Sequence, residues 1–417
     1  MADILPFNGL RYNKKKVKDI NKTFAPPYDV ISEQEQKDLY KKHEFNVIRL
    51  ILGKITAADN QKNNRYTRAG KLFTKWIKDQ VLIQDEKPSI YLYTQDYRFE
   101  GVAKKRIGFI AKMQFEGKGC LPHEHTLAKP KVDRVNLIRA VRANLSPIFS
   151  FYIDNKNEID KVLLPFAEKK AEISYKDSDK ITHRFWKIDD AAAIEKVRKL
   201  MSKKETFIAD GHHRYEVAKS FYEESLKKGE TGADGVMVYF TGFNEQNLSV
   251  MPTHRMVKDI PDLEKKKELL SNYFQITKVK DLKAMLKMQQ DTSGFSLGMC
   301  YADDFHVLKM KDKKLLDKIM EKSPEQWRKL DVAMLNTVVF EHIFKLNETQ
   351  KEEKVTYTRD PLEAVANVKN KKVGVVFFPN TTKAEQVKKI ALSGNRMPQK
   401  STYFYPKPIT GLVINKF

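Results

Sequence analysis

Cysteine is scarce in this chain, and long apolar runs are absent. Only Cys120 and Cys300 occur, far apart and without a Cys-x-x-Cys spacing, which argues against a disulfide framework and a zinc knuckle. No run approaches the roughly 18 apolar residues that a helix needs to span a bilayer. The segment Met1–Pro6 lacks the charged-then-apolar pattern of a signal peptide, so we expect a cytoplasmic protein with no membrane partner.

The sequence motifs of the common nucleotide-binding folds are also missing. There is no Walker A sequence, no Gly-x-Gly-x-x-Gly after a predicted strand, and no His-Arg-Asp and Asp-Phe-Gly pair of a protein kinase. These absences argue against a P-loop, a Rossmann site and a protein-kinase fold. Any nucleotide chemistry in this chain must therefore use other residues.

Positive charge is in excess, with 77 lysines and arginines against 54 aspartates and glutamates and a net charge of +23. Clustered cations neutralise nucleic-acid phosphates, so this balance raises the question of a nucleic-acid partner. The lysine runs are spread over many predicted helices, for example at 14–16, 203–204 and 265–267, which is typical of solvated helix faces. We therefore favour a nucleotide and a small metabolite over nucleic acid, and the oligomeric state stays open.

The segment Asp210–Arg214 combines the features of a phosphate-binding turn. The apolar run Thr206–Ala209 predicts a strand, Gly211 predicts a tight turn, and the apolar spacing from Tyr215 onward predicts a helix. A helix start offers free backbone N–H groups and the positive end of the helix dipole, and cationic side chains strengthen such an anion site. We predict phosphate binding by Gly211, His212, His213 and Arg214.

An ordinary Asp-Gly turn with solvated histidines is the alternative for this segment, and it is favoured for an isolated Asp-Gly-His sequence. Three ionisable side chains in succession after an apolar strand favour a functional site instead. In such a site Asp210 is the candidate ligand of Mg²⁺.

The cluster His123-Glu124-His125 is the second candidate site. It lacks the zincin spacing of two histidines four residues apart, so a transition-metal site would need His212 or His213 from a distance, and we do not favour it. Glu124 lies just before a predicted basic helix. We interpret it as the general base for a hydroxyl nucleophile, with an exposed loop glutamate as the alternative.

Two further groups of polar residues complete the candidate site. Cations and hydroxyls near the end of the sequence suit a phosphate, with a surface loop as the alternative, and they are Arg396, Lys400, Ser401 and Thr402. The candidates for substrate binding are His123, Thr126, Ser146, His254 and Arg255.

Coarse secondary-structure patterns predict an α+β protein with three regions. They are an N-terminal α+β region (1–120), a core (121–258) with an insertion at about 155–203, and a C-terminal α/β region (259–417). The tail 394–407 is a candidate to return to the site. Among the single elements, the patterns predict a buried strand at 45–52, a long helix at 325–345 and a short strand at 411–414.

Three blocks occur in an order that resembles the ParB/sulfiredoxin-like domain and, within it, the free serine kinases. The blocks are His123-Glu124 followed by a helix with Asp133-Arg134, the strand Ser146–Phe149, and the turn Ile208–Arg214. The resemblance covers roughly 121–220 and implies a ParB/sulfiredoxin-like mixed α/β core. Over nearly the full length the chain also resembles a widespread prokaryotic family of unknown function, through the segments 25–32, 122–126, 143–149, 208–215, 252–255 and 397–407.

The resemblance to the serine kinases implies a reaction. Glu124 matches the residue that acts as general base on the substrate hydroxyl, and Asp210–Arg214 match the turn that handles the nucleotide phosphates. It thus implies a kinase that phosphorylates a small metabolite, free L-serine in particular, with ATP or ADP as donor and Mg²⁺ as cofactor. A ParB-like nucleotide-dependent DNA-binding protein and a nucleotide hydrolase are the alternatives.

Overall fold

The computed structural model describes residues 2–116, 119–124, 128–244, 247–321 and 323–417, and for 128–130 and 313 the backbone alone. The described chain forms two compact units. The first unit comprises Met1–Pro122, Thr126–Ser249 and Phe404–Phe417, and the second unit comprises His123–His125 and Val250–Tyr403. This division is coarser than the three regions expected from the sequence, which stay a prediction.

Strands and helices alternate along the whole described chain. The strands are β1 (Ile4–Leu5), β2 (Leu10–Tyr12), β3 (Leu82–Gln84), β4 (Ile90–Phe99), β5 (Val102–Gln114), β6 (Cys120–Leu121), β7 (Ala143–Asn144), β8 (Ile148–Tyr152), β9 (Ile173–Lys176), β10 (Thr182–Ile188), β11 (Thr206–Asp210), β12 (Gly235–Gly242), β13 (Ser249–Met251), β14 (His254–Val257), β15 (Phe274–Val279), β16 (Ser296–Tyr301), β17 (Asp304–Met310), β18 (Val355–Thr358), β19 (Val375–Pro379), β20 (Tyr403–Tyr405) and β21 (Asn415–Lys416). The α-helices are α1 (Glu33–Lys42), α2 (Ile48–Ile51), α3 (Arg65–Lys78), α4 (Ala128–Val141), α5 (Glu158–Ala167), α6 (Ala191–Met201), α7 (His212–Lys227), α8 (Leu263–Tyr273), α9 (Leu282–Asp291), α10 (Lys313–Ile319), α11 (Asp331–Met334), α12 (Glu348–Lys354), α13 (Pro361–Lys369) and α14 (Ala384–Leu392).

A mixed sheet organises the first unit. Its strand order is β6-β11-β8-β12-β5-β4-β10-β9, with β1 paired to β5. Every residue of β12 is buried, because the strand lies between β8 and β5 in the middle of the sheet. The register of β11 against β8 shifts between Ile208 and Asp210. Such irregularities re-aim side chains near functional sites, and here the shift lies at the residue that opens the predicted turn.

The second unit contains its own sheet and its own core. The strand order is β15-β17-β16-β19-β14-β18, and the pairs are antiparallel. Buried residues such as Met285, Val307 and Phe378 form the core between this sheet and its helices. Within the described residues, no helix is long and apolar enough to cross a membrane.

Most local predictions are confirmed, and so is the α+β class. The spacing of Ser32 and Glu35 predicts a capping box, which they form at the start of α1. The segments 90–97 and 106–115 predict paired strands, and they lie in the hairpin of β4 and β5. Within 155–203 the segments 172–176 and 182–188 predict a strand pair, and they form β9 and β10, which extend the main sheet beside β4.

Three element predictions are wrong. The segment 45–52 is not a strand, since Ile48–Ile51 form α2 with Ile48, Leu50 and Ile51 buried. A short run that is apolar on all sides fits a buried helix as well as a buried strand. The helix expected at 325–345 is divided into a 3₁₀ turn (Trp327–Lys329), α11 and a π-helical stretch (Leu335–Ile343). In place of a strand at 411–414, the residues that pair as a strand are Asn415–Lys416.

Candidate active site

The predicted turn has the strand-glycine-helix geometry that its sequence implies. Strand β11 ends at Asp210, and Gly211 is the N-cap of α7 with φ of 98°. Since glycine has no side chain, this N-cap makes no side-chain hydrogen bond to the first backbone N–H groups of the helix. A Cβ atom at Gly211 would lie 2.9 Å from Nη2 of Arg214. The turn is therefore shaped for glycine and for the Arg214 guanidinium above it.

Gly211→Ala is expected to destabilise the first unit by about 2 kcal/mol, because alanine takes on both a left-handed backbone and a clash with Arg214. Gly229→Ala is the matched control, since Gly229 also has a positive φ (68°) but nothing within 4 Å of the added Cβ. Chemical unfolding of both variants measures the difference. Equal losses in the two variants would show that the contact with Arg214 is unimportant.

Four charged residues form a chain of ion pairs at this turn. Arg214 donates from Nη2 to Oδ2 of Asp210 over 2.6 Å, and from Nη1 to the carbonyl of Pro147. Nζ of Lys407 lies 2.5 Å from Oδ1 of Asp210 and 2.6 Å from Oδ2 of Asp29. Three segments distant in sequence thus meet at the start of α7, and two cations share the carboxylate of Asp210.

This arrangement does not fit Asp210 as a metal ligand. Each of its carboxylate oxygens already bonds a cation, Arg214 on one side and Lys407 on the other. In the parts of the chain that the structure describes, no group of three His, Cys, Asp or Glu side chains is arranged to hold a metal.

A cleft of about 60 Å³ lies beside Arg214 in the first unit, with Tyr28, Arg134 and Ser146 in its wall. The guanidinium carbon of Arg134 lies 3.9 Å from the centre of the Tyr28 ring. Burial raises the pKa of Tyr28, and the nearby Arg134 opposes that rise. Oγ of Ser146 lies 2.8 Å from Oγ1 of Thr410. The wall is mainly apolar, with polar groups at its rim.

Glu124 is held by the tail of the second unit. Its Oε1 accepts hydrogen bonds from the backbone N–H of Thr402 at 3.0 Å and from the Thr402 hydroxyl at 2.9 Å. The fully buried ring of His123 is 3.0 Å from the same hydroxyl through Nε2, and its carbonyl accepts from the Met397 amide. The tail residues 397–402 thus fix the orientation of the carboxylate.

Arg255 and the remaining tail residues lie in the same unit. The Arg255 guanidinium donates to the carbonyls of Lys400, at 2.9 Å, and Thr253. Burial lowers its pKa to about 10. Ser401 is buried and donates to the Pro398 carbonyl at 2.5 Å. Arg255 and Ser401 therefore stabilise the tail that holds Glu124.

The ring of His254 is buried against Phe378, with centroids 4.7 Å apart. Burial lowers its pKa to about 4, and the neighbouring Arg255 adds to that shift. Such packing gives no support to a direct substrate contact for His254.

Lowering the pH from 6.5 to 4 is expected to destabilise the wild type by up to about 3 kcal/mol relative to His254→Phe, because the unfolded histidine binds a proton that the folded one does not. His254→Phe is the reference for the wild type, because the other titratable groups contribute equally to the pH dependence of both proteins. Thermal unfolding across this pH range measures the difference. A constant difference between the two proteins would contradict the depressed pKa.

The predicted site residues thus fall into two groups. Asp210, Gly211, His212, His213, Arg214 and Ser146 belong to the first unit, and His123, Glu124, His254, Arg255, Arg396, Lys400, Ser401 and Thr402 belong to the second. His212 is buried, His213 and Arg396 are partly exposed, and Lys400 is exposed. Thr126 and His125 lie outside the described residues.

Sequence reasoning missed Asp29, Lys407 and Arg106, because no local pattern distinguishes them from other charged residues. The sequence reasoning that no Gly-x-Ser-x-Gly elbow occurs, which argued against a serine hydrolase, is also wrong as to the letters, because they stand at 294–298. Ser296 of that sequence is fully buried in β16 and donates its hydroxyl to the Gln289 carbonyl at 3.2 Å. It is therefore not an exposed nucleophile between a strand and a helix.

Comparison with known proteins gives a family and several weak structural likenesses. The profile of a protein family of unknown function, DUF1015, matches residues 4–333. No curated protein matches the sequence significantly. Similar solved structures include a conserved hypothetical protein from Pyrococcus furiosus, with 14% identity and a TM-score of 0.35 over 68% of this chain and 85% of that one. A free serine kinase in complex with AMP has 12% identity and a TM-score of 0.34 over 68% and 83%. C-terminally truncated SbnI from Staphylococcus aureus has 10% identity and a TM-score of 0.38 over 72% of this chain and 85% of that one. At these TM-scores the likenesses carry no argument about activity.

Proposed function

The chain belongs to the DUF1015 family, for which no function is described, and we propose that it is a small-molecule kinase. It transfers a phosphate from ATP or ADP to the hydroxyl of a small metabolite, with free L-serine as the acceptor. The choice of L-serine rests on the resemblance of the sequence blocks at 123–134, 146–149 and 208–214 to the free serine kinases. The phosphate chemistry rests on the residues themselves.

The start of α7 is the observation that supports phosphate transfer. Gly211 begins the helix without a side-chain cap, and Arg214 stands over this glycine with its side chain only 12% exposed. A fixed guanidinium beside a helix start stabilises phosphate oxygens without having to reorganise. We assign the phosphate chain of the nucleotide to this turn, with His212 and His213 as further contacts.

Glu124 supplies the acid–base part of the reaction. In the proposed step the serine hydroxyl oxygen attacks the terminal phosphorus of the donor and the bond to the leaving nucleotide oxygen breaks. The hydroxyl proton passes to the carboxylate of Glu124, which Thr402 holds in one orientation. Mg²⁺ enters with the nucleotide as substrate and neutralises its charge.

Incubation of the full chain with L-serine, Mg²⁺ and either ATP or ADP tests the proposal, and O-phosphoserine is the expected product. L-alanine, which lacks the hydroxyl, is the matched control acceptor. Release of inorganic phosphate that does not depend on serine would identify a nucleotide hydrolase instead. Absence of phosphoserine with both donors would overturn the assignment of a serine kinase.

A further inference from the structure

The segment 405–409 is bound to the main sheet of the first unit by an unusual set of buried polar side chains. Arg106 of β5 is fully buried and donates to the carbonyls of Tyr405 at 2.6 Å and Pro406 at 2.5 Å. Gln95 of β4, also fully buried, donates to the Lys407 carbonyl at 3.1 Å. The sheet therefore holds the backbone of this segment directly before Lys407 and at Lys407 itself.

Burying the polar groups of Arg106 and Gln95 costs free energy of hydration. A guanidinium taken out of water loses its hydration, and here the bonds that replace it go mainly to backbone carbonyls, including that of Asn247 at 2.5 Å. Apolar side chains could cover the sheet without this cost. In return, the hydrogen bonds from Arg106 and Gln95 fix the position of the backbone that carries Lys407.

The Lys407 side chain is directed to the predicted turn. Only 6% of it is exposed, and its ammonium group lies between Asp29 and Asp210. Asp210 binds Arg214 through its other oxygen, so one carboxylate holds both cations at the start of α7. Two fixed cations and a helix start are the groups that a chain of phosphates requires.

We propose that Lys407 contacts the phosphate chain of the nucleotide, as a second cation beside Arg214. The inference rests on the proposed function only in assigning phosphate to this turn. An incoming phosphate replaces the Asp210 carboxylate as partner of the ammonium group, while Asp29 keeps that group in place. The ligand class is a nucleoside di- or triphosphate, the phosphate donor of the proposed function.

An ion pair that only supports the fold is the competing explanation, and the two differ in ligand dependence. Loss of a phosphate contact weakens ADP binding and leaves adenosine binding unchanged. Loss of a structural pair weakens both ligands to the same degree. Calorimetric titration of the full chain with ADP and with adenosine therefore separates them.

Lys407→Met is expected to weaken ADP binding by about tenfold or more, with adenosine binding unchanged. Lys407→Arg, which keeps the charge, should recover most of the ADP affinity. Lys228→Met is the matched control, because Lys228 lies at the opposite end of α7 with 56% of its side chain exposed. Thermal unfolding confirms that each variant is folded. If Lys407→Met fails to fold, Lys407→Arg and Asp29→Asn are tested in its place. Each is expected to lose less ADP affinity than Lys407→Met, with adenosine binding again unchanged.

Equal weakening of ADP and adenosine, or unchanged affinity for both in a folded variant, would overturn the inference. The outcome is separable from that of the proposed function. An ADP-specific loss in a protein that forms no phosphoserine would sustain the role of Lys407 and reject the serine kinase. Phosphoserine formation at the wild-type rate by Lys407→Met would reject the role of Lys407 and sustain the serine kinase. A wild type that binds neither ADP nor pyrophosphate would reject both.

Discussion

Glu124→Gln is expected to lower the turnover of serine phosphorylation by about 10²–10⁴-fold, the usual contribution of a general base. The amide oxygen of glutamine can still accept the hydrogen bonds from Thr402, so the local structure is retained while the capacity to take a proton is lost. The affinity for nucleotide should not change, because phosphate binding is assigned to other residues. Steady-state kinetics with phosphoserine detection, combined with calorimetric titration of ADP, measures both quantities.

Glu264→Gln is the matched control for this substitution. Glu264 belongs to the same unit, and 78% of its side chain is exposed, so the same chemical change there should leave turnover at the wild-type level. Wild-type turnover in Glu124→Gln would remove Glu124 from the mechanism even if the chain proved to be a kinase.

Arg106→Met is expected to destabilise the first unit by about 3 kcal/mol or more, because three buried carbonyls lose their donor. This loss corresponds to a Tm lower by roughly 6–12 °C for a unit of this size. Arg139→Met is the control, since Arg139 is half exposed and pairs with Glu224 at the surface. Surface pairs of this kind contribute about 1 kcal/mol or less.

Thermal unfolding of both variants measures this contribution of Arg106 to stability. Similar Tm values for Arg106→Met and Arg139→Met would mean that the buried guanidinium does not hold the segment 405–409. The role inferred for Lys407 would then lose its structural support.

The turn was predictable because its signals are local. The strand Thr206–Asp210, the glycine and the helix spacing lie within a few residues of each other, so each supports the same geometry. The buried run at 48–51 was not predictable in the same way. Its apolar residues would be covered equally well in a strand or in a helix, and tertiary packing decided between them.

The contacts that complete the candidate site were beyond sequence reasoning. Thr402 reaches Glu124 across 278 positions, and Lys407 reaches Asp29 across 378. The residue type alone does not predict such a contact, because lysine and threonine are also common on solvated surfaces. Arg106 was missed for a related reason, because it ends the basic run Lys104-Lys105-Arg106, which gave no sign that backbone carbonyls would surround its side chain.

The order of the two units along the chain has a consequence for biosynthesis. The first unit includes residues on both sides of the segment Val250–Tyr403, which belongs to the second. When Asp210 and Arg106 leave the ribosome, their partners at 405–407 have not yet been made. The roughly 200 positions from Asp210 to Lys407 take on the order of 10–40 s to synthesise, and the 299 positions from Arg106 to Tyr405 take about 15–60 s. For those times Arg106 and Asp210 must remain without these partners, and the ion pairs of Lys407 with Asp210 and Asp29 can form only after the second unit has been translated.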